Sequence, residues 1–241
     1  MLTIGITNWN ELECTKECIK SLDKLAYPFK LFIWNNEVNE TYVYKESDVY
    51  AHLISKLNLK NLLSYKIVNV NYNLGMTASW NWFLDEFQHD KDSKFCFVCN
   101  NDIRFTSTIN NIIPFMENNE AMGLVCPAML PKETNLEDLE NIAYNYITDH
   151  PFNKNLIEMG GLAGPVMIIP KHVFEEVGYF DPQFRNSFND MDYHLRVQKA
   201  GFATCVYHGS AVYHVGGVST GKLGMTIENN PYYERFQRKH G

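Results

Sequence analysis

The chain has 241 residues, 45% of them apolar and 20% charged, with a formal net charge of −7. This length lets one large domain bury roughly 70–75% of its unfolded surface without disulfide or metal staples, and the composition is that of an ordinary soluble globular protein. The acidic balance, with no Lys/Arg block longer than the closing "RFQRKHG", argues against a nucleic-acid partner, which needs a basic face; an anionic ligand would have to be neutralised locally, as a divalent cation does.

The first half alternates strand and helix signals. "LTIGIT" is a short β-branched run, and "ELECTKECIKSLDKL" puts Leu12, Cys18, Ile19, Leu22 and Leu25 on one helical stripe. "FKLFIW" reads as a second strand ending at Asn35, "YVYKESDVYAHLISKLNLKNLL" as a helix, and "SYKIVNV" as a third strand. Gly75 opens "MTASWNWFLDEF", a helix with a buried face of Trp80, Phe83, Leu84 and Phe87, and "KFCFVCN" is a fourth strand. The alternation predicts a mostly parallel sheet with helices on both faces. Ligands of such sheets bind beyond the carboxyl ends of the strands. The polar stretches "TNWN", "NNE" and "NND" all fall at such ends.

After residue 106 the pattern changes. "STINNIIPFMENN" reads as a helix, "MGLVCPAML" as a strand, and "PKETNLEDLENIAYNYITDHPFNKN" as a polar excursion without an assigned structure. "GGLAGPVMIIP" is a Gly-opened strand, "KHVFEEVGYF" a short helix, "DMDYHLRVQKAGF" another helix, and "ATCVYHGSAVYHVGG" strand-like. The tail from Ser219 to Gly241 carries Gly221, Gly224 and Pro231 and is expected to be mobile or lid-like. No repeat, linker or low-complexity segment divides the chain, so a single domain is expected.

Six cysteines are present, and Cys96 and Cys99 form a C-x-x-C inside an apolar strand with no second pair at zinc spacing. Buried thiols in a reducing cytoplasm are the better reading. "MLTIGITNWNE" turns polar too soon for a signal peptide, and no apolar run reaches the roughly 18 residues of a membrane span. A cytoplasmic protein is expected.

Three stretches hold residue types with chemistry. In "NND", Asp102 and the amide two residues before it, Asn100, can offer oxygen ligands to Mg2+ or Mn2+, or the tripeptide can merely close the strand as an Asx turn. In "SFNDMDYHLR", Asp190 and Asp192 start a helix. Either can cap it and complement its dipole, or serve as a general base for an attacking hydroxyl. In "VYHVGGVSTGK", His214 precedes two glycines that let the chain fold over a ligand, and its imidazole can complete a metal site or be structural.

Together these pieces resemble the family 2 glycosyltransferases of the GT-A fold, rhamnosyltransferase-like members most closely, over roughly residues 2 to 217. "LTIGITNWNELECTKECIKSL" is similar to their opening strand and helix, and "FKLFIWNNEVNET" to the second strand with its Asp/Asn-rich end. "NYNLGMTASWNWFL" matches N-x-G-x(5)-N at Asn73, Gly75 and Asn81, and "FCFVCNND" resembles the strand carrying D-x-D. "GGLAGPVMIIPKHVFEEVGYFDPQFRNSFNDMDYHLRVQKAGF" follows the acceptor-side segment, the "YH" before glycines resembles the terminal metal-side His, and "YYERFQRKH" is similar to a Tyr-Tyr-x-x-Arg tail.

The resemblance implies a Rossmann-like GT-A domain over residues 1–218, with a nucleotide-binding half (1–106), an acceptor-binding half (107–218), and a tail or lid at 219–241. It implies an inverting transfer from a UDP-, GDP- or dTDP-linked sugar to a glycan acceptor with Mn2+ or Mg2+. Thr7, Trp9 and Asn36 would hold the base and ribose, with Asn73, Gly75, Asn81, Asn100 and Asn101 also on the donor side. Asp102 and His214 would hold the metal, and Asp190 would be the base. Gly160 and Gly161 would line the path between sugar and acceptor, while Lys222 and Arg235 would reach the diphosphate. The departures from the pattern are Asn35-Asn36 for Asp-Asp, Asn100 for the first Asp of D-x-D, and Asn189 for the Glu before Asp190. A catalytically degenerate nucleotide- or glycan-binding module is the alternative. A nucleotidyltransferase would want a Gly-rich basic loop after the first strand, which "ITNWNELE" lacks.

Overall fold

Strands β1 (Leu2–Asn8), β2 (Phe29–Asn36), β3 (Leu62–Val70) and β4 (Phe95–Asn100) lie in the order β3-β2-β1-β4, all parallel. The computed structural model describes residues 1–36, 40–150, 157–158, 164–216 and 230–241. Beyond β4 come β8 (Val166–Pro170), β6 (Met122–Met129) and β9 (Ala203–His214). β8 is antiparallel to both neighbours, while β6 and β9 are parallel to each other. Two short strands, β5 (Ile103–Arg104) and β7 (Ile157–Glu158), each pair antiparallel with β9.

Period-two burial on these strands feeds two cores, one per face. Ile4, Ile6, Leu31, Ile33, Phe97 and Cys99 join Cys18 and Ile19 of α1 (Leu12–Ser21), Tyr50 and Ile54 of α2 (Glu40–Leu57), and Ile112 and Ile113 of α4 (Ile112–Glu117). On the other face, Phe32, Trp34, Cys96, Val98 and Met167 meet the predicted stripe Trp80, Phe83, Leu84 and Phe87 of α3 (Met76–His89). Val173 and Phe174 of α6 (Lys171–Val177) and Tyr193 and Val197 of α7 (Asn189–Lys199) complete that side. The protein is thus α/β, with a mostly parallel sheet covered on both faces, as the sequence predicts.

Cys96 and Cys99 enter opposite cores, so they cannot grip one ion, and all six cysteines are free. The structure differs from the sequence reading in four places, the first in the tail expected to be mobile or lid-like, where residues 233–240 form a helix that buries Phe236. The helix expected over 42–63 ends at Leu57, and Leu62 and Leu63 open β3 instead. The helix expected over 107–119 is a 3-10 turn (Ser107–Asn111) followed by the six residues of α4. The polar excursion contains α5 (Leu139–Asp149), whose Leu139, Ile142, Ala143, Tyr146 and Ile147 pack on Leu130, Ala211 and Tyr213. Among the described residues no helix is long and apolar enough to cross a membrane.

Strand β1 and helix α3 meet at close quarters around Gly5, where an added Cβ would lie 2.1 Å from Cγ of the fully buried Phe83 ring. A Gly5→Ala change is therefore expected to overpack the β1–α3 contact and cost roughly 1–3 kcal/mol, read as a lowered urea midpoint.

Candidate active site

The carboxyl ends of the parallel strands are joined by side-chain amides. Asn8, Asn35 and Asn69 occupy neighbouring register positions on β1, β2 and β3. Asn101 Nδ2 donates to Asn8 Oδ1 (2.9 Å), Asn8 Nδ2 to Asn35 Oδ1 (2.5 Å), and Asn35 Nδ2 to Asn69 Oδ1 (3.3 Å). Thr15 Oγ1 also donates to Asn8 Oδ1 at 2.9 Å, which ties α1 to this row. Asn8 and Asn35 are fully buried. Asn8 and Asn35 each both donate and accept, which a carboxylate cannot do. An Asp at 35 would face Asn69 Oδ1 with a second acceptor, which is a physical reason for amides here.

The row ends beside Asp102. The chain leaves β4 at Asn100, turns through Asn101 and Asp102, and re-pairs through β5, which places Ile103 opposite His214 at the end of β9. Val215 N–H donates to Asp102 O (3.0 Å) and Gly216 N–H to Asp102 Oδ2 (3.2 Å). The other oxygen, Oδ1, is buried, accepts no hydrogen bond from the described residues, and lies 3.2 Å from His214 Nε2. Two ligands about 2.1 Å from one cation at right angles would stand about 3 Å apart, so the pair fits a shared divalent ion. Among the described residues no cluster of three or more His, Cys, Asp or Glu could hold a metal by itself. The remaining positions would fall to ligand or water oxygens.

Asp190 belongs to the same end of the sheet. Gly164 N–H donates to its Oδ2 at 3.0 Å, and the next residue, Pro165, accepts the Asn100 N–H at 2.8 Å. Met191 N–H donates to Asp190 Oδ1 (2.9 Å). Burial pushes the Asp190 carboxyl above the ordinary carboxylate range, against the lowering pull of those two N–H groups.

Other expected site residues are held in the framework around this end. Thr7 is buried, with Oγ1 2.7 Å from Ser79 Oγ of α3. Trp9 is partly exposed on the turn after β1. Asn36 is buried and staples the turn before α3: its Oδ1 accepts from Trp34 Nε1 (2.9 Å) and Leu74 N–H (3.1 Å), and its Nδ2 donates to Gly75 O (3.4 Å). Asn73 Oδ1 accepts the Gly75 N–H at 2.7 Å. Gly75 has φ +88°, and a Cβ there would meet Arg185 and Asn186, so only glycine fits this junction. Asn81 clamps both the N–H (2.8 Å) and the C=O (2.9 Å) of Phe180. Arg235 donates to Gln183 O at 2.6 Å. Gly160, Gly161 and Lys222 lie outside the described residues.

Sequence reasoning did not single out Asn8, Gly164 or Asn186, whose Oδ1 accepts the Met76 N–H that opens α3 (3.1 Å). Asn8 sits inside "TNWN", so its strand-end position was the available signal; the other two depend on pairing across the chain.

No family model and no curated protein matches the sequence, but solved structures share its fold. A mannosyltransferase from Pyrobaculum calidifontis, in complex with GDP-Man and Mn2+, matches with a TM-score of 0.64 at 11% identity, over 90% of this chain and 57% of that one. S. aureus TarS 1–349 in complex with UDP-GlcNAc matches with 0.60 at 13% identity, over 94% and 61%. A longer TarS chain matches with 0.59 at 12%, over 88% and 36%. This chain therefore spans about a third to three fifths of the length of these proteins, and what it shares with them at such identities is the GT-A fold.

Raised carboxyl pKa values carry a stability signature. Ionised Asp190 is disfavoured by folding, so its contribution is most favourable below the unfolded pKa of about 3.9 and is lost as pH rises through the folded value. Wild type should gain stability relative to Asp190→Asn as pH falls from 7 towards 4, measured as urea midpoints; a constant or widening deficit would contradict the assignment.

Proposed function

We propose that this chain is an inverting, divalent-cation-dependent glycosyltransferase, moving a sugar from a UDP-, GDP- or dTDP-linked donor to a hydroxyl of a glycan acceptor. The observation that carries the reading is the Asp102–His214 pair, a buried carboxylate oxygen with no hydrogen-bond partner among the described residues, beside an imidazole nitrogen. The fold shared with proteins complexed to GDP-Man with Mn2+ and to UDP-GlcNAc supports it.

In this reading residues 1–106 hold the nucleotide, residues 107–218 the acceptor, and the tail follows from 219. Thr7, Trp9, Asn36, Asn73, Gly75 and Asn81 shape the donor side, with Asn36 and Asn81 acting through the turns they staple. Asn100 and Asn101 set the turn that presents Asp102. Gly160, Gly161, Lys222 and Arg235 are assigned by resemblance alone. The protein acts in the cytoplasm, where nucleotide sugars are made.

Asp102 and His214 would hold Mn2+ or Mg2+, and the ion would offset the charge of the diphosphate. Its need follows from magnitude. Two like unit charges 4 Å apart repel by about 4 kcal/mol at an effective dielectric of 20, so Asp102 alone would repel the donor. Asp190 then takes the proton from the acceptor hydroxyl. The freed oxygen forms a bond to the anomeric carbon as the bond from that carbon to the diphosphate breaks, and the diphosphate leaves with the electron pair. A carboxyl whose pKa is raised by burial is the stronger base for this step, and its two N–H donors fix its direction.

The variants separate binding from turnover. Asp102→Ala is expected to abolish Mn2+-dependent nucleotide-sugar binding by calorimetry. Asp190→Asn is expected to keep that binding and lose roughly 10²–10⁴-fold in kcat; transfer at the wild-type rate by Asp190→Asn would remove it as the base.

A further inference from the structure

Asp190 follows a backbone position that bulky residues rarely occupy. Phe188, two residues earlier, has φ +61° and ψ +1°, in the left-handed region where a large side chain is strained. Strain of this kind persists only where surrounding structure imposes it. Here it sits at the entry to α7, and Phe188 O accepts the Asp192 N–H at 2.8 Å to start that helix.

The surrounding structure comes from the far end of the chain. Helix α8 (Tyr233–His240) seats Phe236 against the Phe188 ring, with centroids 5.1 Å apart, and against Phe184 at 6.2 Å. Tyr233 also meets Phe188, at 6.0 Å. On the helix side of the turn, Asp192 is fully buried yet carries three basic partners: Lys239 Nζ at 2.6 Å, His240 Nε2 at 2.8 Å and Arg196 Nε at 2.9 Å. On the loop side, Lys239 also pairs with Asp181 (2.6 Å), and Arg235 holds the Gln183 carbonyl. One short helix thus grips the chain both before and after the strained residue.

We propose that α8 is a positioning clamp: by packing Phe236 on Phe188 and seating Lys239 and His240 on Asp192, it holds the left-handed turn that directs Asp190. The inference rests on Asp190 being the catalytic base, and it deepens that reading by making Phe236, Asp192 and Lys239 positioning residues rather than surface trim. Asp192, the second carboxylate of "NDMD", is then the anchor of the tail and not a second base.

The test compares the full-length wild type with Phe236→Ala and with Phe236→Leu, which restores apolar bulk. The clamp predicts a roughly 10–100-fold fall in kcat for Phe236→Ala, with KM for the nucleotide sugar and Mn2+-dependent nucleoside diphosphate affinity within about twofold, and substantial recovery in Phe236→Leu. Unchanged kcat, or kcat and nucleoside diphosphate affinity falling together, overturns it. Should Phe236→Ala fail to fold, Lys239→Met, which alters a side chain at the protein surface, carries the same comparison. If the wild type turns over no nucleotide sugar, the transferase reading fails on its own, and hydrogen exchange decides the clamp. Faster exchange confined to amides 188–192 in Phe236→Ala supports it, and unchanged exchange there overturns it.

Discussion

A buried carboxylate oxygen with no hydrogen bond is unfavourable unless a positive charge answers it. Among the described residues Asp102 Oδ1 is such an oxygen, placed 3.2 Å from the His214 ring nitrogen. The architecture around it brings this about. Parallel strands deliver polar turns to one edge of the sheet, and the short β5–β9 pairing carries the chain's late histidine back to the end of β4. Remove the pairing of Ile103 with His214, and the carboxylate loses its neighbour.

Around that charged point the framework is neutral by construction. The amide row from Asn101 through Asn8 and Asn35 to Asn69 spans four strand ends without adding a charge. It fixes the turn carrying Asp102 to α1 and to the sheet at once. The second carboxylate, Asp190, reaches the same edge from the other half of the chain, through the Gly164–Pro165 segment that also pairs with Asn100. The proposed division of labour follows: one carboxylate for the cation, one kept basic by burial. The strained Phe188 and the helix packed over it then supply the aim of the second.

Much of the fold was legible because burial imposes period. Trp80, Phe83, Leu84 and Phe87 declare a helix face, and the apolar runs of β1, β2 and β4 declare buried strands. Helix α5 carries the same signal, since Leu139, Ile142, Ala143, Tyr146 and Ile147 recur at i, i+3, i+4, i+7 and i+8; it was legible in the sequence, although the polar residues on either side of it obscured it, and Leu130 and Tyr213 receive its stripe. At the site, the strand-end position of Asp102 and the His-Gly-Gly pattern at 214 could be read locally, although their proximity could not. The roles of Asn36 and Asn81 were harder. As amides in a glycosyltransferase-like pattern they suggest ligand contacts, but their hydrogen bonds close the turn at Leu74–Gly75 and the loop at Phe180. Such uses depend on backbone groups distant in sequence. The left-handed turn at Phe188 has no sequence signature, because phenylalanine is a poor residue for it.

The central claim is that Asp102 and His214 grip one divalent cation that carries a nucleoside diphosphate. Anomalous X-ray scattering from crystals grown with Mn2+ and a nucleoside diphosphate tests it most directly. The account predicts a manganese peak bridging Asp102 Oδ1, His214 Nε2 and the phosphate oxygens. Nucleotide bound with no manganese there, or manganese held at a different place, would contradict it.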